Sequence, residues 1–270
     1  MPLIALASVK CSPGVTTTAL ALASMWKTAP RRLLLEADPG GGDLSLWLGL
    51  PAGSGLAGLA AAARHGHDTG LAWRHARELA GGTHLVAAPP GAEQAAACVA
   101  ALAAAKLPQE LAAMDEPVLA DCGRLHPGSP ALAVAAAAAL TVLVVRPRVS
   151  ELAHLEPRVR GLEQAGLRLV VVLVADDRRP PSEPSYPAEE IAGVLGVPVR
   201  GPLPADPRAV EQLCRRAGGP GSARRLPLLR EAVAAAGALE AALGRPATAP
   251  DLPGGRQDLD ETEAVVGDRG

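Results

Sequence analysis

SVKCSPGVTTTALALAS, residues 8–24, is the stretch on which the fold turns. A short apolar run ends at Val9, and Lys10 to Gly14 must then turn sharply. Gly14 permits backbone angles that other residues resist. Thr16, Thr17 and Thr18 open an Ala/Leu-rich helix, whose first turn has free N–H groups and the positive end of the helix dipole. A Thr hydroxyl there is placed to ligate Mg²⁺ bound to phosphates. The same residues also suit an ordinary capped strand-to-helix turn. The rest of the chain has to separate the two readings.

The 270 residues suffice for one large α/β domain, and 49% of them are apolar. That apolar content is mostly Ala, Leu and Val, with no Phe, one Tyr and three Trp. Such a core needs close packing of element on element, because few large side chains fill gaps. The shortage of aromatics argues against a nucleic-acid module that stacks bases. The net charge of −2 gives no global basic footprint. Four scattered cysteines without a C-x-x-C pair fit a reduced, cytoplasmic protein. The apolar run at 131–145 is shorter than the ~20 residues a membrane span needs, and reads as a helix leading into a buried strand.

Continuous apolar runs predict strands at 2–9, 33–37, 83–88, 117–121, 140–146, 168–175 and 198–200. Helices are predicted at 15–28, 43–49, 54–64, 70–80, 91–105, 130–139, 149–166, 187–196, 206–216 and 224–243. This alternation implies an α/β fold: a doubly wound, mostly parallel sheet with helices on both faces. Residues 245–270 turn to Pro, Gly and acids, a composition expected to stay disordered. The Pro-rich stretch 176–187 reads as a connector at a strand end.

Ligands in such sheets sit beyond the carboxyl ends of the strands. Two further strand ends carry acids there. In LLLEADPGGGDL, Glu36 and Asp38 lie two residues apart, so both carboxylates are candidates to face a metal or a water. The alternative is a plain Asp38-Pro39-Gly40 turn, with Asp43 capping the next helix. In PVLADCGR, Asp121 closes an apolar strand before Cys122 and Gly123; an acid there commonly holds the water shell of a phosphate-bound Mg²⁺.

In this order and spacing the segments resemble the MinD/ParA group of P-loop ATPases, over about residues 1–243. VLVVRPRVSELAHL and the closing PAEEIAGVLGVPVRGPLPADPRAVEQL are similar to later segments of the same family. The resemblance implies a P-loop domain over 1–244, ATP and Mg²⁺ as ligands, and a homodimer that sandwiches nucleotide. It places the nucleotide on Lys10, Ser12, Gly14, Val15, Thr16, Thr17, Asp121 and Gly123. Mg²⁺ falls to Thr16, Glu36, Asp38 and Asp121. Asp38, positioning the attacking water, and Lys10, the signature lysine that reaches across the dimer, are the implied catalytic residues. It also sets Cys11 near Cys122. Among relatives, the divergent CpaE/TadZ-like and actinobacterial MinD-like proteins look nearest.

The departures shape the functional expectation. Val15 occupies the place of the family's P-loop lysine, and one charge-assisted contact to phosphate is worth about 1.5–3 kcal/mol. Pro13 has no N–H to donate. Cys11 and Ser12 replace glycines, and Asp176 is the nearest substitute for an adenine-reading Asn. The expected function is a dimeric switch or scaffold that binds ATP, hydrolyses it weakly or not at all, and positions a partner assembly such as Flp/Tad-type pilus or secretion machinery. It would be cytoplasmic, recruited to a pole or the inner membrane by its partner. An active ParA-like partitioning ATPase that binds nonspecific DNA is one alternative, and a nucleotide-free interaction protein another. Membrane contact through Arg224, Arg225 and Arg230 of the last helix is a minor reading, because an acidic tail follows. His65, His67 and His75 read as loop residues rather than metal ligands.

Overall fold

Each continuous apolar run forms a strand buried on both faces. The computed structural model describes residues 3–10, 12–51, 53–66, 68, 70–175, 186–215 and 225–244. The strands are β1 (Leu3–Ser8), β2 (Arg32–Glu36), β3 (Arg77–Glu78), β4 (Thr83–Val86), β5 (Val118–Arg124), β6 (Leu140–Val145), β7 (Leu169–Val174) and β8 (Val199–Leu203). They form one sheet in the order β3-β4-β2-β5-β1-β6-β7-β8. Every pairing is parallel except that of the edge strand β3 with β4.

The helices are α1 (Val15–Met25), α2 (Leu44–Trp47), α3 (Gly55–Ala63), α4 (Leu71–His75), α5 (Ala92–Ala104), α6 (Leu107–Ala112), α7 (Leu132–Ala137), α8 (Val149–Gln164), α9 (Ala188–Leu195), α10 (Pro207–Arg215) and α11 (Pro227–Leu243). They cover both faces of the sheet. Successive strand residues point to opposite sides, so Leu3, Ala5 and Ala7 join the core under α3 to α9. Ile4 and Leu6 join the core under α1, α2, α10 and α11. Alanines on α1 (Ala19, Ala23) and α11 (Ala232, Ala236) share that second core, the close approach that a phenylalanine-free sequence requires. The buried Leu228, Leu229 and Leu239 commit α11 to the sheet rather than to a lipid surface. No helix among the described residues is long and apolar enough to cross a membrane.

Two local expectations fail for identifiable reasons. The helix predicted over 70–80 stops at His75, and the chain turns back as β3 and a 3₁₀ turn at Ala80–Gly82. Gly81 and Gly82 have φ of 78° and 85°, and a Cβ on Gly82 would stand 2.3 Å from the Pro30 carbonyl oxygen. The helix α6 is absent from the prediction; it follows Lys106, whose φ of 58° breaks from α5, and has proline in its first turn. β5 also runs past Asp121 to Arg124, which pairs with Ser8 beyond a bulge.

β1 lies between β5 and β6: the chain leaves β1 for β2 on one side of it, and after β5 it crosses to β6 on the other, so the strand order reverses here. This is the switch point at which doubly wound sheets bind ligands. The carboxyl ends of β2, β5, β1 and β6 stand there side by side.

Candidate functional site

The loop after β1 is shaped by Gly14, which sits at φ 101°, ψ 40° as the residue before α1. That left-handed conformation suits glycine. Thr18 N–H reaches the Gly14 carbonyl at 2.9 Å and starts the helical ladder. The earlier N–H groups of the first turn have no carbonyl behind them inside the helix, and no side chain caps them. Thr16 and Thr17 are half-buried at this end, Ser12 is exposed, and Pro13 is buried.

Asp121 is the centre of the site. It is 1% exposed, and its carboxyl accepts hydrogen bonds from the Thr16 hydroxyl and, at 3.0 Å, from the Gly123 N–H. Burial drives its pKa from 3.8 up to about 7; the Thr16 and Gly123 hydrogen bonds oppose this, while the charges of Asp38 and Glu36 add to it. Asp38 lies against Gly123: a Cβ there would fall 2.0 Å from the Asp38 Cγ. Its Oδ1 accepts the Gly40 N–H at 2.7 Å, and burial raises its pKa, with Asp43 adding to the rise. Thr16, Asp38, Asp121 and Gly123 are thus brought together from β1, β2 and β5.

Glu36 is committed elsewhere. Its Oε1 accepts the N–H groups of Asp43 and Leu44, both at 2.9 Å, and its Oε2 accepts that of Ala88 at 2.9 Å. Glu36, rather than the Asp43 side chain, therefore caps the start of α2 and ties loop 37–43 to β4. It is 1% exposed, and burial raises its pKa against these three hydrogen bonds. The two residues Glu36 and Asp121 pair across β2 and β5, and the Glu36 carboxylate acts on that of Asp121 through its field.

Val15 and Lys10 are both engaged within the chain. Val15 is 6% exposed and packs with Ile4, Leu6 and Ala19 in the core. Lys10 Nζ lies 2.6 Å from His154 Nε2 on α8. The sequence assigns no site role to three residues at this face. Arg124 Nε donates to the Val9 carbonyl at 3.3 Å, Arg146 Nη2 donates to the Ser12 carbonyl at 2.8 Å, and Glu151 holds Arg146. Their one sequence signal is position, since both arginines end apolar strands next to β1.

The donors suit Mg²⁺. A hydroxyl and carboxylates are the hard oxygen ligands that Mg²⁺ takes, while waters and substrate phosphates complete its shell. A fully buried carboxyl pushed up by two neighbouring acids is a place where a cation lowers the energy. Among the described residues no three His, Cys, Asp or Glu side chains form a self-sufficient metal cage. His75 Nδ1 instead meets Ser54 Oγ at 3.1 Å. Cys122 is fully buried, and burial keeps its thiol protonated. Cys11, His67, Asp176, Arg224 and the tail from 245 lie outside the described residues.

No protein-family model and no curated protein matches the sequence. Solved structures do. The Pyrococcus furiosus cell division ATPase MinD aligns with TM-score 0.70 and 20% identity, over 89% of this chain and 99% of that one. The septum site-determining protein MinD of Pyrococcus horikoshii, complexed with Mg-ADP, gives TM-score 0.70 and 18% identity over 90% and 97%. A ParA family ATPase from Chlorobium tepidum gives 0.67 and 18% over 87% and 97%. The fold is that of the MinD/ParA P-loop ATPases.

Proposed function

We propose that this chain is a nucleotide-dependent switch of the MinD/ParA type, binding Mg²⁺ and ATP and dimerising around them to position a partner assembly. The observation that carries the reading is the Thr16–Asp121–Asp38 group, gathered from three strand ends at the switch point of the sheet. In this reading Thr16 and Asp121 hold the Mg²⁺ shell, with Asp38 beside them. The first turn of α1 and Gly14 cradle phosphate. When bound, Mg²⁺ neutralises charge on the phosphate oxygens. Glu36 positions the loop that carries Asp38 and is not a ligand in this assignment. The Mg-ADP complex of the P. horikoshii structure supports the choice of ligand.

Slow turnover belongs to the same reading. The side chain at position 15 packs in the apolar core, so the lysine that stabilises developing charge in a P-loop is missing. Lys10 is held by His154 of its own chain and must leave that contact to reach a partner's nucleotide.

Calorimetry with Mg-ATP, run beside light scattering and a phosphate-release assay, tests the proposal. The expected result is saturable binding, a doubling of molar mass with Mg-ATP, and turnover near background. A ligand specific for the folded state adds about 2.7 kcal/mol at a hundred times its Kd. An unchanged melting temperature with millimolar Mg-ATP, together with no binding heat, would remove the switch and leave a scaffold. An Flp/Tad-type pilus or secretion machine is the assembly we propose. Recovery of such components in a crosslinked complex only when Mg-ATP is present is the expected outcome.

A further inference from the structure

The nucleotide reading leaves a charge missing, and the inference that follows rests on that reading. A phosphate chain needs cations, yet position 15 is filled by a valine 6% exposed in the apolar core. We propose that Arg124 and Arg146 take over the phosphate-gripping role, from the two strands that flank β1.

β5 and β6 are the neighbours of β1, and each delivers an arginine to the loop above it. Arg124, at the end of β5, donates Nε–H to the Val9 carbonyl at 3.3 Å. Arg146, one residue beyond β6, donates from Nη2 to the Ser12 carbonyl at 2.8 Å. The two guanidinium groups therefore bracket the loop from opposite sides. Both stand at the carboxyl ends of strands, where an anionic ligand of this fold would sit.

Arg146 is held in place. Its Nη1 lies 3.5 Å from Glu151 Oε1, and its own backbone N–H donates to Glu151 Oε2 at 3.0 Å. Glu151 is 2% exposed at the start of α8, so one buried carboxylate fixes both the backbone and the side chain of this arginine. Arg124 is exposed, and the structure gives its Nη groups no hydrogen bond among the described residues. A guanidinium has five N–H donors in a planar fork that matches phosphate oxygens in pairs. The Arg124 carbonyl contact uses one donor and needs no positive charge, which leaves its charge and remaining donors for an anion; Arg146 shares its charge with Glu151 and offers the donors not turned to Ser12 or Glu151.

Calorimetric titration of wild type, Arg124→Gln, Arg146→Gln and Arg146→Lys with Mg-ATP and with Mg-tripolyphosphate, at several salt concentrations, tests the proposal. Melting temperatures of the unliganded proteins are measured alongside. Each Gln variant is expected to weaken both ligands about tenfold or more, as loss of one charge-assisted contact requires. Each should also flatten the dependence of affinity on salt, and Arg146→Lys should recover part of both effects. Tripolyphosphate separates recognition of phosphate from recognition of a base. Gln variants within twofold of a binding wild type would overturn this inference alone. A lower melting temperature with unchanged affinity and salt slope would do the same, showing a loop brace only. A wild type that binds neither ligand would overturn the nucleotide reading as well. Arg124 is exposed, so Arg124→Gln carries the test if Arg146→Gln fails to fold.

Discussion

Asp121→Asn isolates the electrostatic cost at the centre of the site. The amide keeps the shape of the carboxyl: its oxygen can accept from the Gly123 N–H, and its NH₂ can donate to the Thr16 hydroxyl. The wild-type carboxyl has a pKa of about 7 in the folded chain against 3.8 ordinarily, chiefly through burial. Between those values the folded protein keeps a proton that the unfolded chain has released. Stability therefore falls as pH rises, by up to ~1.4 kcal/mol per pH unit, and levels off above the folded pKa. Between pH 5 and pH 8 the wild type loses about 2–3 kcal/mol through this group, and the variant does not. Glu36 and Asp38 are also raised, and both proteins share the decline they cause. Urea unfolding in EDTA at pH 5, 6.5 and 8 yields the difference between the two proteins. The variant should gain on the wild type as pH rises. A difference independent of pH, or one that grows in favour of the wild type, would refute the account of Asp121 as a buried carboxyl awaiting a cation.

Other perturbations test the surrounding frame. Arg32 is 5% exposed and donates to the carbonyls of Ala23, Ser24, Ala29 and Gly81 and to the Thr83 hydroxyl; Arg32→Met should cost about 2–4 kcal/mol in urea unfolding, and a loss below about 0.5 would show those acceptors find other donors. Gly123→Ala puts a Cβ 2.0 Å from the Asp38 Cγ at a φ of 56°, so it should destabilise by about 1–3 kcal/mol and abolish Mg-ATP binding in calorimetry. Val15→Lys should lower unliganded stability by about 1–3 kcal/mol, since it sets an amine against the apolar core. Saturating Mg-ATP should narrow that gap as the new amine meets phosphate, and a gap unchanged in thermal melts would show that position 15 does not face the ligand.

What could be read in the sequence follows from how local its cause is. The strands were legible because parallel strands buried on both faces are continuous apolar runs, as in RLLLE and LVVVLV. Thr16 and Asp121 were candidates for the same reason, as polar residues that end or follow such runs. β3 and the turn at Gly81 were not legible, because the conformation there answers to Pro30, about fifty residues earlier. Glu36 was read as a candidate metal ligand beside Asp38; its task depends on the Ala88 N–H, which only the pairing of β2 with β4 brings near. Arg124 and Arg146 look like other surface arginines until the order of strands sets both beside β1.

On the proposed reading, that order also explains how the site could do without a lysine at position 15 and keep a use for its acids. A lysine within the loop moves with the loop and is built into its first helical turn. Arginines on β5 and β6 are attached to the sheet, and each holds the loop through a carbonyl that belongs to the loop. On the proposed reading, an anion arriving at α1 would meet the guanidinium donors that the Val9 and Ser12 carbonyls leave free. Lys10 would then face a choice between His154 on its own α8 and a phosphate brought by a second copy. On that reading Lys10 alone would give up a contact before making a new one, so its binding energy would be coupled to movement against α8. If the proposed reading holds, such a site would favour switching over turnover: the Lys10 contact would differ between states, while position 15 would supply no fixed charge to a phosphoryl transition state.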